Sequence, residues 1–285
     1  MKRIIVKNSV NDEISSQLVC FYNSFKELSK KEKVEFDLSE IKFFHPFLIL
    51  PIFSYIKHTK SVYTLNNKSN TNLYLETINF PTGVSSLTEF EHVIQLTKSY
   101  IPISVLKKEK QIERSHLESC LQDMIYKIIG EVPHTKDAVL YPIMELVGNI
   151  FHHSKEDEGY IFGQFYPNKN FLDICIVDNG RGLAKTYDDE LNLKLTDIEA
   201  IKNVISGLST KKEKERGYGV WTSKDVVCKA MNGTFVIVSG SSAFIAKENK
   251  QNFLELPNFY WQGVVIVYRI PKPVGPVNIY SYIGS

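Results

Sequence analysis

The stretch Phe171-Leu-Asp-Ile-Cys-Ile-Val-Asp178-Asn-Gly180-Arg-Gly182 predicts a buried strand that ends in a glycine-rich turn. Its apolar part, residues 171–177, contains the Ile and Val residues that favour strands. Two glycines placed two residues apart allow backbone turns that let a ligand approach the chain closely. Asp178, at the end of the strand, offers a carboxylate that can accept a hydrogen bond from a ligand amino group. Taken alone, the same letters are also typical of an ordinary turn at the end of a strand.

A helix is expected upstream, over residues 135–153, and it carries further polar groups. Glu145, Asn149 and His153 recur every four residues, so one helix face presents a carboxylate, an amide and an imidazole in a row. A carboxamide oxygen can ligate Mg²⁺, which takes few protein ligands and completes its shell with water and phosphate oxygens. A carboxylate one turn earlier can accept a proton from an attacking water. By itself, this spacing is common on solvated helix faces.

A third segment, Arg216-Gly-Tyr-Gly-Val220, opens the helix that is expected to run to residue 231. Glycines next to a helix N-terminus leave free backbone N–H groups, and the positive end of the helix dipole suits phosphate groups. A lone GxG is a weak signal. A Rossmann interpretation fails because no GxGxxG follows a first strand.

Together, in this order and spacing, the three segments resemble the N box, G1 box (DxGxG) and G2 box (GxG) of the GHKL ATPases, the group of gyrase, Hsp-type chaperones, histidine kinases and MutL. The similarity continues in Ala230-Met-Asn-Gly233 with the strand after it, and in a last strand over residues 263–270. It spans residues 111–271. The resemblance implies an α+β fold whose C-terminal part is a Bergerat-type two-layer α/β sandwich, a mixed, mostly antiparallel sheet with helices on one face.

The resemblance also implies roles for individual residues. Asn149 would ligate Mg²⁺, Glu145 would be the general base, and Asp178 would bind the adenine amino group of ATP. Residues 183–216 would form the ATP lid. Val264 stands where these ATPases usually have a threonine, which removes a hydroxyl that can support the adenine-binding aspartate. The residues expected around the nucleotide are Asn149, His152, His153, Asp178, Gly180, Gly182, Thr210, Gly217, Tyr218, Gly219 and Val220.

The N-terminal part resembles STAS domains, which occur in anti-sigma-factor antagonists. Residues 34–50 match their strand ending in Asp-Leu-Ser, followed by a short apolar step and a helix-opening loop. Phosphorylatable members carry Asp-Ser in that loop, whereas this chain has His45-Pro46, so we expect the domain to bind partners or brace the ATPase. The expected division is a small STAS-like α/β domain over 1–95, a linker over 96–110, a histidine kinase-like ATPase domain over 111–271 and an extended tail over 272–285.

Composition narrows the classes of function. The formal net charge of +2 is too close to zero to indicate nucleic acid as a partner. No apolar stretch approaches the roughly 20 residues that a membrane-spanning helix needs. The four cysteines form no CxxC pair, which favours reduced thiols and a cytoplasmic location over a disulfide framework or a zinc site.

The expected function is an Mg²⁺-ATP-binding regulatory protein of bacterial signalling, with slow hydrolysis and ATP-gated binding of a protein partner. A serine/threonine kinase of the anti-sigma-factor type, acting on a partner, is the first alternative, and a non-enzymatic interaction module is the second. Autophosphorylation at His116 is disfavoured because His116 lies too close to Glu145 for a dimerisation hairpin. The partner would bind through the STAS-like domain or the lid, and the sequence leaves a homodimer open.

Overall fold

A computed structural model describes residues 1–29, 31–66, 70–93, 99–130, 132, 135–208 and 219–282 of the chain. The strands are β1 (Lys2–Ile5), β2 (Val34–Asp37), β3 (Val62–Thr64), β4 (Tyr100–Lys107), β5 (Glu158–Tyr166), β6 (Phe171–Asp178), β7 (Thr234–Gly240), β8 (Ser242–Lys247), β9 (Lys250–Glu255) and β10 (Trp261–Pro271). The helices are α1 (Ile14–Phe25), α2 (Pro46–Thr59), α3 (Asn70–Thr77), α4 (Leu87–Val93), α5 (Gln111–Ile129), α6 (Lys136–His153), α7 (Gly182–Leu191), α8 (Asp197–Ile205) and α9 (Val220–Asp225). A π-helical turn, Val226–Ala230, continues α9.

Two sheets organise these elements. Seven strands form one antiparallel sheet in the order β4-β5-β6-β10-β7-β8-β9. Strands β1, β2 and β3 form a small parallel sheet. The mixed α+β composition expected from the sequence is confirmed. At the centre of the large sheet, β6 and β10 pair over their common length, from Asp178 opposite Val264 to Phe171 opposite Pro271.

Strand β6 is buried on both faces, and the alternation of its side chains decides what each face meets. Leu172, Ile174 and Ile176 join a core formed with α5, α6, α8 and α9 on one face of the sheet, which we call the front face. Cys175 and Val177 join a second core on the opposite face, which we call the back face. An apolar face is stable only when it is covered, so the sheet needs a layer on each side.

Helices cover both faces of the large sheet, and the helices of the C-terminal part lie on one face of it, as the sequence predicted for that part. Helices α5, α6, α8 and α9 cover the front face. Helices α1 and α2 cover the back face and, with the small parallel sheet, form what we call the N-terminal cover. The back is thus covered by the N-terminal half of the chain, because the apolar side chains on that face of β6 and β10 also need a layer against water.

Helix α2 is buried over nine consecutive residues, 46–54, and all of them except Ser54 are apolar. Burial on all sides fits a helix that lies between two sheets. Strands β5 and β6 contact it on one side. On the other side, Tyr55 of α2 meets Phe36 of β2 edge-on, with ring centroids 5.7 Å apart. Despite this apolar run, no helix in the part of the chain that the structure describes has the length and hydropathy to cross a bilayer.

The expected linker and tail differ in the structure. Residues 96–110 include β4, which pairs with β5 and is buried over residues 100–106. Residues of β4 enter both cores, Ile101 and Leu106 in front and Ile103 and Val105 behind, so the strand shows no polar face that a sequence pattern would reveal. The back core combines residues of both halves, such as Phe21 and Val265. Within the expected tail 272–285, Ile279 is buried in the front core.

The segment 183–216, expected as a lid, contains most of α7 and the whole of α8. A reciprocal capping box between Thr196 and Glu199 starts α8. Ile201 and Ile205 of α8 are buried in the front core. Packed helices therefore occupy most of the range up to residue 205, and residues 209–216 of the expected lid lie outside the described residues.

A largely buried ion pair connects β6 and β10 on the face of the sheet that meets the N-terminal cover. Arg269 of β10 donates to Asp173 of β6 through Nε and Nη2, at distances of 2.6 and 2.7 Å. Asp173 is fully buried. The remaining nitrogen of Arg269, Nη1, donates to the carbonyl of Asp12 at 2.8 Å, just before α1. The pair therefore joins the large sheet to its back cover.

Asp173→Ala is expected to lower the free energy of unfolding by about 3–5 kcal/mol, because it leaves the Arg269 guanidinium buried without its counter-charge. Urea denaturation followed by circular dichroism measures the change. Glu113→Ala removes one partner of the exposed Lys110–Glu113 pair and serves as the control, with an expected cost below about 1 kcal/mol. Small, equal losses in the two variants would contradict a joining role for the buried pair.

Candidate functional site

A pocket opens on the front face of the large sheet, between the sheet and helices α6, α7, α8 and α9. It encloses about 950 Å³ of empty space, its open mouth included. Ile176, Ile237 and Ile266, from three neighbouring strands, line it on the sheet side. Leu146 and Ile150 of α6 line it on the helix side. The pocket wall is therefore mostly apolar.

The structure brings residues of all three sequence segments to this pocket: the helix with Asn149, the turn that begins at Asp178 and the segment with Gly219. The expected residues found in its lining are Asn149, His153, Asp178, Gly182, Gly219 and Val220. The helix segment with Asn149 and the segment with Gly219 touch each other, because a Cβ built on Gly219 would lie 3.1 Å from Nδ2 of Asn149. Stretches that are far apart in the chain thus meet at one site.

Asp178 lines the pocket and is only 5% exposed. Its Oδ1 accepts a hydrogen bond from the backbone N–H of Gly180 at 2.9 Å. Burial raises the pKa of this carboxyl to about 7, although the backbone N–H groups of Gly180 and Val264 act in the opposite direction. A buried acid with a strongly raised pKa, in an apolar pocket, is a candidate for ligand binding.

The backbone of β10 supports Asp178 from the neighbouring strand. Gly263 has a φ of 103°, and an added Cβ would lie 2.7 Å from Oδ1 of Asp178, so only glycine fits there. Val264 is the register partner of Asp178, and its backbone N–H bonds to the carboxylate. A backbone group thus contacts the aspartate at the position where the sequence lacks a threonine hydroxyl.

Gly180 lets the turn after β6 press against the end of α6. An added Cβ at Gly180 would lie 2.5 Å from the Cβ of Ser154. The next residue, Arg181, donates its backbone N–H to the Ser154 carbonyl at 3.2 Å. Gly180 therefore shapes the site without lining the pocket, and Gly182, with a φ of 74°, begins α7 beside it.

Arg181 is a residue of the site that the sequence analysis missed. Its Nε donates to the His153 carbonyl at 2.7 Å, and its Nη1 donates to Asp189 of α7 at 2.8 Å. Its Nη2 bonds to Glu190, whose other carboxylate oxygen lies 3.4 Å from Nδ1 of His153. Arg181 thereby fastens α7 to the end of α6. Its only sequence signal was its place inside the DxGxG motif.

Ser239 is a second residue that was missed. Its hydroxyl donates to the Gly263 carbonyl at 2.9 Å and accepts from the Leu183 N–H at 3.0 Å. It thereby connects β7 and β10 to the first turn of α7. A polar residue after the apolar run 235–238 was the available signal.

The other expected residues lie elsewhere. His152 is exposed and outside the pocket lining, because it is one position round the helix from His153. Glu145 is half-buried on α6, one turn before Asn149, and is also outside the lining. Thr210, Gly217 and Tyr218 lie outside the described residues. Among the lining residues that the structure describes, none is Lys or Arg, and no described cluster of three or more His, Cys, Asp or Glu is arranged to hold a metal ion.

In comparisons with known proteins, no family model matches this chain and no curated protein matches it. The pocket is interpreted from its own geometry. Apolar walls with a buried carboxylate among them suit a flat ligand that carries an N–H donor. The amide of Asn149 adds a neutral oxygen ligand at the same site.

The raised pKa of Asp178 predicts how stability depends on pH. The carboxyl ionises above its ordinary pKa of 3.8 in the unfolded chain, whereas the folded protein keeps the proton up to about pH 7. Between these values the folded state binds more protons, so its free energy of unfolding falls as the pH rises. Asp178→Asn removes this titration. The stability of the variant relative to the wild type should therefore increase between about pH 5 and pH 8, by a few kcal/mol at most.

Thermal denaturation of both proteins across this pH range measures the difference. Asp189→Asn is the control, because hydrogen bonds from Arg181 and Lys185 hold the pKa of Asp189 at about 2, below the tested range. A constant difference between Asp178→Asn and the wild type would contradict the raised pKa.

Gly180→Ala is expected to destabilise the protein, because its new Cβ would overlap Ser154 at the end of α6. Gly148→Ala is the matched control, since a Cβ at Gly148 of α6 meets nothing within 4 Å. That control should be neutral or stabilising by about 0.5–1 kcal/mol, the usual gain for a helix interior. Urea denaturation compares the two, and equal stability of both variants would show that the turn has room for a side chain.

Proposed function

We propose that this chain binds Mg²⁺-ATP in the pocket and works as an ATP-gated regulatory protein that hydrolyses ATP slowly. One observation carries the proposal. The three segments that resemble the N, G1 and G2 boxes of GHKL ATPases converge on a single pocket, where Asn149, Asp178 and Gly219 represent them. Unrelated motif matches would have no reason to meet in space.

The adenine ring would lie between the apolar walls, with its amino group donating to Asp178. A hydrogen bond to an ionised carboxylate is stronger than one between neutral groups. Because burial raises the pKa of Asp178 to about 7, the carboxyl is partly protonated near neutral pH. A ligand that donates to the carboxylate favours its ionised form. Nucleotide binding should therefore release protons near pH 7 and weaken below it.

Asn149 would hold Mg²⁺ through its carboxamide oxygen, and bound Mg²⁺ would supply positive charge to the phosphates. Gly219 leaves the space beside the Asn149 amide open. Glu145, one turn earlier on α6, is the candidate base for an attacking water. Contacts of Thr210, Gly217 and Tyr218 with the phosphates stay predictions from the sequence.

The finer fold assignment belongs to the same proposal. We infer a Bergerat-type ATPase from the succession of α6, the β5–β6 pair, α9 and the last strands. We infer a STAS-like unit from β1, β2 and β3, which alternate with α1 and α2 in a parallel arrangement. The second unit covers the back of the sheet that carries the pocket on its front. That arrangement supports a regulatory protein in which nucleotide binding and partner binding influence each other.

Titration calorimetry with ATP and Mg²⁺ tests the proposal. The wild type should bind ATP in a Mg²⁺-dependent way and more tightly at pH 8 than at pH 6. Asn149→Ala should lose the Mg²⁺ dependence. Asp178→Asn should bind at least about tenfold more weakly, because a hydrogen bond to a charged group contributes about 1.5–3 kcal/mol. Asn203→Ala on α8 is the control for loss of an amide outside the pocket lining and should bind like the wild type.

Phosphate release from the same samples separates the alternatives. Release that Glu145→Gln abolishes, with binding retained, supports slow hydrolysis. Binding without release would favour a serine/threonine kinase that acts on a partner protein. Absence of nucleotide binding by the wild type would overturn the proposal and leave an interaction module.

A further inference from the structure

Behind the pocket, one side-chain contact crosses from the large sheet to the N-terminal cover. Asp178 faces the pocket and the next residue, Asn179, faces the opposite way, towards α2. Nδ2 of Asn179 donates to Oγ of Ser54 at 2.7 Å and lies 3.5 Å from the Ser54 carbonyl oxygen. Ser54 is fully buried and Asn179 is 7% exposed, so water does not compete for this bond.

The bond to Asn179 accounts for a buried hydroxyl at Ser54 in an otherwise apolar stretch of α2. It is the only polar side chain among the nine consecutive buried residues of α2. A buried hydroxyl costs free energy unless it is hydrogen-bonded, and alanine would fill nearly the same space at no such cost. The amide of Asn179 supplies the compensating bond.

Other hydrogen bonds hold the backbone of this turn, whereas the Asn179 side chain bonds to α2. Nε1 of Trp261 donates to the Asp178 carbonyl at 3.3 Å, and Nε2 of Gln262 donates to the Asn179 carbonyl at 3.3 Å. The Trp261 ring in turn meets Phe25 of α1 edge-on, with centroids 5.3 Å apart. The N-terminal cover thus holds the turn from behind at two points.

We propose that Ser54 is a positioning residue for the pocket, which holds Asn179 and thereby sets the direction of the adjacent Asp178 carboxylate. The inference rests on the proposed nucleotide site. Asp178 and Asn179 share a peptide unit, so a backbone rotation at Asn179 that the bond to Ser54 opposes would also turn Asp178 and lengthen the bond that its carboxylate accepts from the Gly180 N–H. The N-terminal cover would then contribute to ligand affinity, although no described residue before Leu146 lines the pocket.

The test compares Ser54→Ala with Ser24→Ala by titration of the full chain with Mg²⁺-ATP. Ser54→Ala should bind about fivefold more weakly, the equivalent of one ordinary hydrogen bond. Ser24 is the matched control, because it is also buried in the N-terminal cover but donates to the Cys20 carbonyl within its own helix, at 2.9 Å. Ser24→Ala should leave affinity unchanged, which separates positioning from a general loss of stability.

Two further readouts make the test specific. The Gly180 N–H lowers the pKa of Asp178, so loosening the turn in Ser54→Ala should move the pH midpoint of nucleotide binding upward. In an Asn179→Ala background, Ser54→Ala should have no further effect on affinity, because the partner is already gone. Wild-type affinity in Ser54→Ala, an equal loss in Ser24→Ala, or additive losses in the double variant would each overturn the inference. Failure of the wild type to bind nucleotide would instead overturn the proposed function, and this inference with it.

Discussion

Strands β6 and β10 pair along the middle of the large sheet and bury apolar side chains on both faces. Burial of apolar surface is the dominant favourable contribution to folding, so neither face of this pair can be left open to water. Helices α5, α6, α8 and α9 cover the front face, and helices α1 and α2 cover the back face. The layers are therefore arranged around one strand pair, and the two halves of the chain share the back core instead of forming separate ones.

The C-terminal end of β6 contributes both to the pocket on the front face and to the contact with the N-terminal cover on the back face. Alternation along β6 sends Asp178 to the front, where apolar walls raise its pKa, and sends Asn179 to the back, where it meets the only hydroxyl in the buried run of α2. Glycines at 180 and 263 bring the backbone close enough to hold the carboxylate. The turn after β6 is therefore held by contacts on both faces of the large sheet, and these contacts together set its conformation.

Sequence patterns predicted the parts of this protein that depend on short-range signals. Helix α6 was expected over 135–153 and runs over Lys136–His153, with Pro142 inside it. The lining residues Asn149, Asp178 and Gly219 came from motif spacing. Strand β4 was missed because both of its faces are buried, and α8 was missed although Thr196 and Glu199 form a capping box. Arg181 and Ser239 act through partners distant in sequence, which no local pattern contains. The second cover of the sheet was missed for the same reason, since two-sided burial is a property of the assembled layers.

The all-round burial of α2 also has a consequence for the order of events during biosynthesis. The strands of the large sheet that shield the helix, β5, β6 and β10, all follow it in the sequence and are translated after it. Until then the apolar side of the helix that will face the large sheet stays uncovered, which is the condition in which nascent chains aggregate or recruit chaperones. Its long-range contacts also make folding slow, because the intervening chain must be ordered before they form. Helix α2 thus leaves the ribosome well before the strands that complete its packing.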